Sequence, residues 1–185
     1  MTVISAPAPW RFRDRTFAWG SRTYLMGIVN VTPDSFSDGG QFDTAQRAVA
    51  QARYLVANGA DIIDIGGQST RPGAETISVS VEQSRVIPVI EAIRADADNA
   101  LNQVVVSVDT TVAAVARAAV RAGADIVNDI SGGTFDKAMF STVADLGVPI
   151  ILMHIRGNPQ TMQQHTDYQD LIGEIHEFLR HQIDD

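Results

Sequence analysis

The sequence predicts an α/β fold in which parallel strands alternate with helices in the order of a (β/α) barrel. Three observations predict it. Runs that are apolar at consecutive positions, Tyr24 to Val29, Ile62 to Ile65, Val104 to Val108, Ile126 to Val127 and Val148 to Met153, read as strands buried on both faces. Segments of helical periodicity lie between them. Polar residues fall at strand ends: Asn30, Asp64, Asp109, Asn128 and His154 each stand at or just after the C-terminal end of a different strand. In a barrel five such positions converge on one mouth, whereas an open doubly wound sheet spreads them along an edge with one switch-point crevice. The convergence favours the barrel.

Taken in order, residues 1–23 form an N-terminal extension in which Trp10 to Arg22 suits a hairpin, and residues 24–185 form the barrel domain. After the first strand and a polar loop, Ala45, Ala48, Val49, Ala52 and Val56 recur at helical spacing within Thr44 to Asn58, and Gly59 stands where a C-terminal cap belongs. Further helices are expected near Val81 to Ala97, Val112 to Ala122 and Asp136 to Leu146, the last two stopped by Gly123 and Gly147. Tyr168 to Asp185 has the pattern of a fifth. An internal echo supports repetition: Gly59-Ala60-Asp61-Ile62-Ile63-Asp64 matches Gly123-Ala124-Asp125-Ile126-Val127-Asn128 at an offset of 64 residues, two units of about 32. Asp64 and Asn128 therefore occupy equivalent strand ends.

Composition narrows the functions. With 185 residues, 45% of them hydrophobic, the chain is long enough to bury a core. Fourteen basic against 22 acidic residues give a net charge of −8, and no basic stretch concentrates charge as a binder of nucleic-acid backbone needs. The absence of cysteine excludes disulfides, thiolate nucleophiles and cysteine-ligated metals. Met1 to Trp10 lacks a cationic start followed by an apolar run, and nowhere do 18 apolar residues follow one another. The expectation is a soluble, cytoplasmic protein without a membrane partner.

Several segments carry possible chemistry. Asn30-Val31-Thr32-Pro33-Asp34-Ser35-Phe36-Ser37-Asp38-Gly39-Gly40 reads either as a solvated loop turning at Thr32-Pro33-Asp34 or as a lid. In the second reading Asn30 offers an amide oxygen and Asp34 a carboxylate to a hard cation such as Mg²⁺ on a pyrophosphate. Gly66-Gly67-Gln68-Ser69-Thr70-Arg71-Pro72-Gly73 lets backbone N–H groups approach an anion while Arg71 adds a planar charged fork; the bland alternative is a surface arginine between turns. Asp109 ends an apolar strand, where it serves either as a helix N-cap or as a carboxylate accepting paired hydrogen bonds from an aminopyrimidine ring. Asn128 complements it with a donor and an acceptor, and Ile130 and Met153 suit the walls of a flat-ring pocket. His154 lacks a partner at ligand spacing and is assigned a structural role; His165, His176 and His181 read as solvated. Nucleophile-elbow, Walker and Rossmann signatures are absent.

Together, the loop Asn30 to Gly40, Asp64 to Gly73, Ser107-Val108-Asp109-Thr110, Asn128-Asp129-Ile130-Ser131-Gly132-Gly133, Pro149 to His154 and Gly157 to Met162 resemble dihydropteroate synthase in order and spacing. The resemblance runs from about Tyr24 to the C-terminus. It implies a TIM-barrel transferase with about five of eight βα units here, and a reaction that joins 6-hydroxymethyl-7,8-dihydropterin pyrophosphate to p-aminobenzoate, giving 7,8-dihydropteroate and pyrophosphate in folate biosynthesis. By the same resemblance Asp109 and Asn128 contact the pterin ring and Ile130 and Met153 line its pocket. Asn30 meets Mg²⁺ and the pyrophosphate. Thr70 and Arg71 lie beside the pyrophosphate and the arylamine, while Phe36 and Pro72 close over p-aminobenzoate and Asp34 belongs to the same substrate-binding loop as Phe36. Gln68 stands where many members have glutamate.

The family's later segments, an Asp-Pro-Gly carboxylate, a Ser-Arg-Lys lysine and an Arg-x-His anion site, are not in this sequence. The resemblance implies a homodimer whose interface helices belong largely to that absent part. Two alternatives stand beside the synthase reading: a methyltetrahydrofolate-binding methyltransferase, against which the Asn30 to Gly40 loop speaks, and an inactive pterin-binding fragment.

Overall fold

Strand pairing begins in the extension. The computed structural model describes residues 7–32, 41–69 and 76–184. Strands β1 (Trp10–Phe12) and β2 (Arg15–Phe17) form an antiparallel hairpin with Trp10 opposite Phe17. Its aromatic side chains pack edge to face or tilted against Trp19 and Tyr24, arrangements that the ring quadrupole favours. Phe17, almost wholly buried, contacts Ile62, Val105 and Ile126 at the N-terminal ends of three later strands. The hairpin thus covers the bottom of the sheet's inner face.

The main sheet has five parallel strands, β3 (Met26–Asn30), β4 (Ile62–Gly66), β5 (Val105–Asp109), β6 (Ile126–Asp129) and β7 (Ile150–Leu152), in strictly sequential order. Between them run α1 (Gln41–Ala57), α2 (Val79–Arg94), the short α3 (Asn99–Asn102), α4 (Ala113–Ala122) and α5 (Met139–Leu146), and α6 (Leu171–Asp184) follows β7. Sequential parallel order with a helix in each crossover is what a barrel wall requires. The five expected strands and five expected helices are all present, their ends shifted by a few residues. Helix α5 starts at Met139 instead of Asp136 because the Asp136 carboxylate accepts from the backbone N–H groups of Ala138 and Ala113 and is spent in the turn.

Alternation along the strands sorts the side chains. Ile63 and Ile65, Val106 and Val108, and Val127 face the helices in a core that also holds Val86, Val89, Ile90 and Ile93 of α2 and Val115 and Ala119 of α4. The opposite inner face carries Ile62, Asp64 and Gly66 on β4, Val105, Ser107 and Asp109 on β5, and Ile126 and Asn128 on β6. It is apolar below and polar above.

The internal echo has a structural cause. Gly59 and Gly123 both follow helices with positive φ, 99° and 119°, where a side chain would be strained. Asp61 accepts the N–H of Leu25, just before the adjacent strand, and pairs with Arg22; Asp125 accepts the N–H of Val106 on the adjacent strand and pairs with Arg94 and Arg13. Each aspartate pins its strand's start to its neighbour.

Candidate active site

Parallel register assembles the polar strand ends into layers. Asn30 pairs with Gly66, Gly66 with Asp109, and Asp109 with Asn128, so one level of the inner face holds three of the residues nominated from sequence. Gly66 leaves room between them. A Cβ built there would meet Asp109 Oδ2 at 3.4 Å and Asn30 Oδ1 at 3.5 Å, so both oxygens border the same space.

One level down, Asp64 pairs with Ser107. Asn128 reaches down to this level and donates from Nδ2 to Asp64 Oδ2 at 3.0 Å. Asp64 Oδ1 and Ser107 Oγ are buried and make no hydrogen bond of good geometry among the described residues. Unpartnered buried polar atoms are costly and few, and they concentrate where a ligand or a bound water completes them.

The Asp109 carboxylate has no hydrogen bond among the described residues and is not used as a helix cap. Helix α4 begins instead with Val112 as its N-cap, the Val112 N–H going to Thr110 Oγ1 and the Ala113 N–H to Asp136. Burial pushes the Asp109 carboxyl up to about 7, reinforced by the charges of Asp64, Glu82 and Asp129. Burial also raises Asp64, against the Ser107 hydroxyl and the Asn128 amide, and raises Asp129, against hydrogen bonds from Ser131 and Gly133. Such a set of desolvated acids at strand ends marks a candidate functional cleft.

Asp129 shapes the next loop. Its Oδ1 accepts from the N–H and hydroxyl of Ser131, and its Oδ2 from the N–H of Gly133. The turn brings Gly132, with φ of 61°, so close to the Met153 carbonyl and the Phe178 ring that any Cβ would clash. Ile130 is thereby held at the edge of a cavity of about 340 Å³ whose lining includes Gln68, Glu82, Asp109, Thr110 and Asn158. The size is at the lower end of the range for small-ligand sites. Asn30, Asn128 and Met153 do not line this cavity. Asn128 lies beside it on the inner face, and Met153 is 41% exposed where that face opens. Asp34, Phe36, Thr70, Arg71 and Pro72 lie outside the described residues.

Two contributors were not nominated from sequence. Glu82, 2% exposed, stands on the buried stripe of α2 with Val86, Val89, Ile90 and Ile93. An acid at a core position of a helical stripe was the available signal. Burial raises its carboxyl, opposed by the Thr110 hydroxyl and the Arg85 guanidinium. Gln68 turns inward and accepts the Ile77 N–H at 3.3 Å, while Arg85 donates to the Gly67 carbonyl at 2.7 Å, fastening α2 to the end of β4. His154 packs its ring against Phe178 and Tyr168, in keeping with a structural role.

Residues 26–185 match the family model described as pterin binding enzyme. The chain belongs to that family. A dihydropteroate synthase of Synechocystis sp. is 56% identical over 178 residues, covering 96% of this chain and 60% of the relative. Among solved structures, the dihydropteroate synthase of Yersinia pestis, in a sulfonamide drug complex, superposes with a TM-score of 0.83 at 41% identity, covering 96% of this chain and 62% of the other. That of Burkholderia cenocepacia, complexed with 7,8-dihydropteroate, gives 0.75 at 38% identity, with coverage of 96% and 57%. The chain thus spans about 60% of the length of such relatives, and its five strands are part of the barrel. Among the described residues no helix is long and apolar enough to cross a membrane.

Proposed function

We propose that the site serves dihydropteroate synthesis: it binds a pterin pyrophosphate, and p-aminobenzoate displaces pyrophosphate at the pterin methylene. One observation carries the reading. A half-buried carboxylate without a hydrogen-bond partner among the described residues, Asp109, stands in register with an oriented carboxamide, Asn128, at the mouth of a parallel sheet. A carboxylate in that setting accepts two parallel hydrogen bonds from an amino-pyrimidine edge, and low local dielectric strengthens them. Ile130 and Met153 flank the ring.

The reaction is a substitution at carbon. The arylamine nitrogen forms a bond to the methylene as the carbon–oxygen bond to pyrophosphate breaks, and the amine loses a proton to water or phosphate oxygen. No covalent enzyme intermediate is required. Catalysis rests on orientation and on stabilising charge at the leaving group, with Thr70 and Arg71 assigned to that end and Asp34, Phe36 and Pro72 to the p-aminobenzoate side.

The donor set suits Mg²⁺. Asn30 Oδ1 borders the mouth, while no group of three or more His, Asp or Glu able to cage a metal occurs among the described residues. Mg²⁺ keeps several waters and is commonly held through one or two carboxylates and substrate phosphates; here Asn30 would add an amide oxygen. When bound it neutralises the pyrophosphate. A cytoplasmic location and a homodimer belong to the same proposal, the latter to be read by light scattering.

Pyrophosphate release that requires both p-aminobenzoate and pterin pyrophosphate, in a chain that carries the whole barrel around these residues, tests the reading. Release without p-aminobenzoate, or methyl transfer from methyltetrahydrofolate, would reject it.

A further inference from the structure

The pocket's recognition depends on which way one amide faces. Asn128 stands one level above Asp64 on the inner face, and its Nδ2 donates downward to Asp64 Oδ2. A carboxylate is only an acceptor, so chemistry assigns the NH₂ group, not the carbonyl, to that contact. The other branch of the amide, Oδ1, then makes no contact with Asp64, and no hydrogen bond to it is found among the described residues.

Asp64 has one other donor beside it, the Ser107 hydroxyl on the paired strand. Asp64 is 4% exposed, and its second oxygen and Ser107 Oγ are buried with no hydrogen bond of good geometry at either. Turning the Asn128 amide over would set Oδ1 against Oδ2, acceptor against acceptor, and leave the carboxylate to the Ser107 hydroxyl alone.

We infer that Asp64 is the positioning residue of the pocket: by holding the Asn128 amide nitrogen, it fixes which way the amide faces and so presents Oδ1, with the Asp109 carboxylate, as the acceptors for a ring edge bearing adjacent N–H donors. This deepens the proposed function and rests on it for the ligand. Among the described residues the charged groups that act on this assembly are Asp109 on β5, Asp129 on β6 and Glu82 on α2, with Arg85 of α2 against Glu82. The groups that act on Asp109 are acids, which disfavours a ligand acceptor there. A site built to accept hydrogen bonds discriminates strongly against an analogue lacking the donor, because its buried acceptors stay unpaired.

The test has two arms on the full chain. In the ligand-free protein, the Asn128 side-chain N–H protons, followed by NMR, exchange slowly with solvent and at least tenfold faster in Asp64→Asn. In calorimetric titration, the preference for 6-hydroxymethylpterin over its 2-desamino analogue falls at least tenfold in Asp64→Asn. It returns in the exchanged pair Asp64→Asn with Asn128→Asp, which keeps the contact with its direction reversed and restores an acceptor facing the mouth. Where the single variant does not fold, the exchanged pair and the amide protection of the unaltered chain decide. Unprotected Asn128 protons in the unaltered chain, an equal loss for both ligands in Asp64→Asn, or a folded exchanged pair without recovered preference each overturns the inference. Failure of the unaltered chain to bind either ring counts instead against the functional reading, and amide exchange still decides the orientation.

Discussion

Replacing Asp109 with asparagine removes a charge that folding has to desolvate. An ordinary aspartate titrates at about 3.9, whereas Asp109 titrates at about 7 in the folded chain, chiefly through burial and then through the neighbouring acids Asp64, Glu82 and Asp129. Between those values the folded state binds more protons than the unfolded one, so stability falls as pH rises through the window. At about 1.36 kcal/mol per unit, ionised Asp109 costs on the order of 4 kcal/mol above pH 8, and much less near pH 4. Asparagine keeps the shape but brings an NH₂ group with its own needs, so the net gain at pH 8 is set at about 1–3 kcal/mol. For a chain of this length that is roughly 3–10 °C in melting temperature. Urea unfolding of both proteins at pH 5, 6, 7 and 8 measures it. The stabilisation should grow with pH while pterin affinity falls about tenfold or more. A variant no more stable than the parent at pH 8, or a difference that does not change with pH, would refute the account of the site's electrostatics.

Other perturbations reach other parts of the molecule. Arg94→Leu removes a guanidinium that donates to the Gly123, Asn102 and Val104 carbonyls and to Asp125; a loss of about 3 kcal/mol is expected, and a shift below about 1 kcal/mol in urea would mean that Arg13 alone satisfies Asp125. In a chain carrying the whole barrel, Arg71→Ala should lower turnover more than it weakens binding of the pterin ring, with little rescue by Arg71→Lys if the planar fork matters. Equal activity of the lysine variant would show that a point charge suffices. The 185-residue chain itself should release no pyrophosphate above background and should associate, because β3 and β7 each pair on one side only among the described residues and Ile28 on the open inner face is 61% exposed. Light scattering that shows a single compact monomer, or turnover at rates near 1 s⁻¹, would contradict this.

Strands were legible where their residues were apolar on both faces, as in Ile62 to Ile65, because only a helix-covered parallel sheet buries both sides. The strand-end polar residues were legible by position, and register then placed Asn30, Asp109 and Asn128 on one level. What escaped depended on long-range contacts. Nothing local in Phe17, Trp19 and Tyr24 says that they cover the bottom of the inner face. The short α3, capped by the Asp98 side chain, sits in a polar stretch without helical periodicity. Glu82 hid among surface acids because its burial follows from α2 packing on Gly67 at the end of β4. Asp64 was visible as a strand end, but its grip on Asn128 joins residues 64 positions apart and became apparent only once the strands were in register.

The central claim, that Asp109 and Asn128 form the floor of a pterin pocket, is tested most directly by calorimetric titration of this chain, verified as folded by circular dichroism, with a pterin pyrophosphate. The expected result is saturable binding of one ligand per chain, weakened at least tenfold by Asp109→Ala and unaffected by p-aminobenzoate in the absence of the pterin. A folded chain that takes up no pterin, or one whose affinity is untouched by Asp109→Ala, would contradict it.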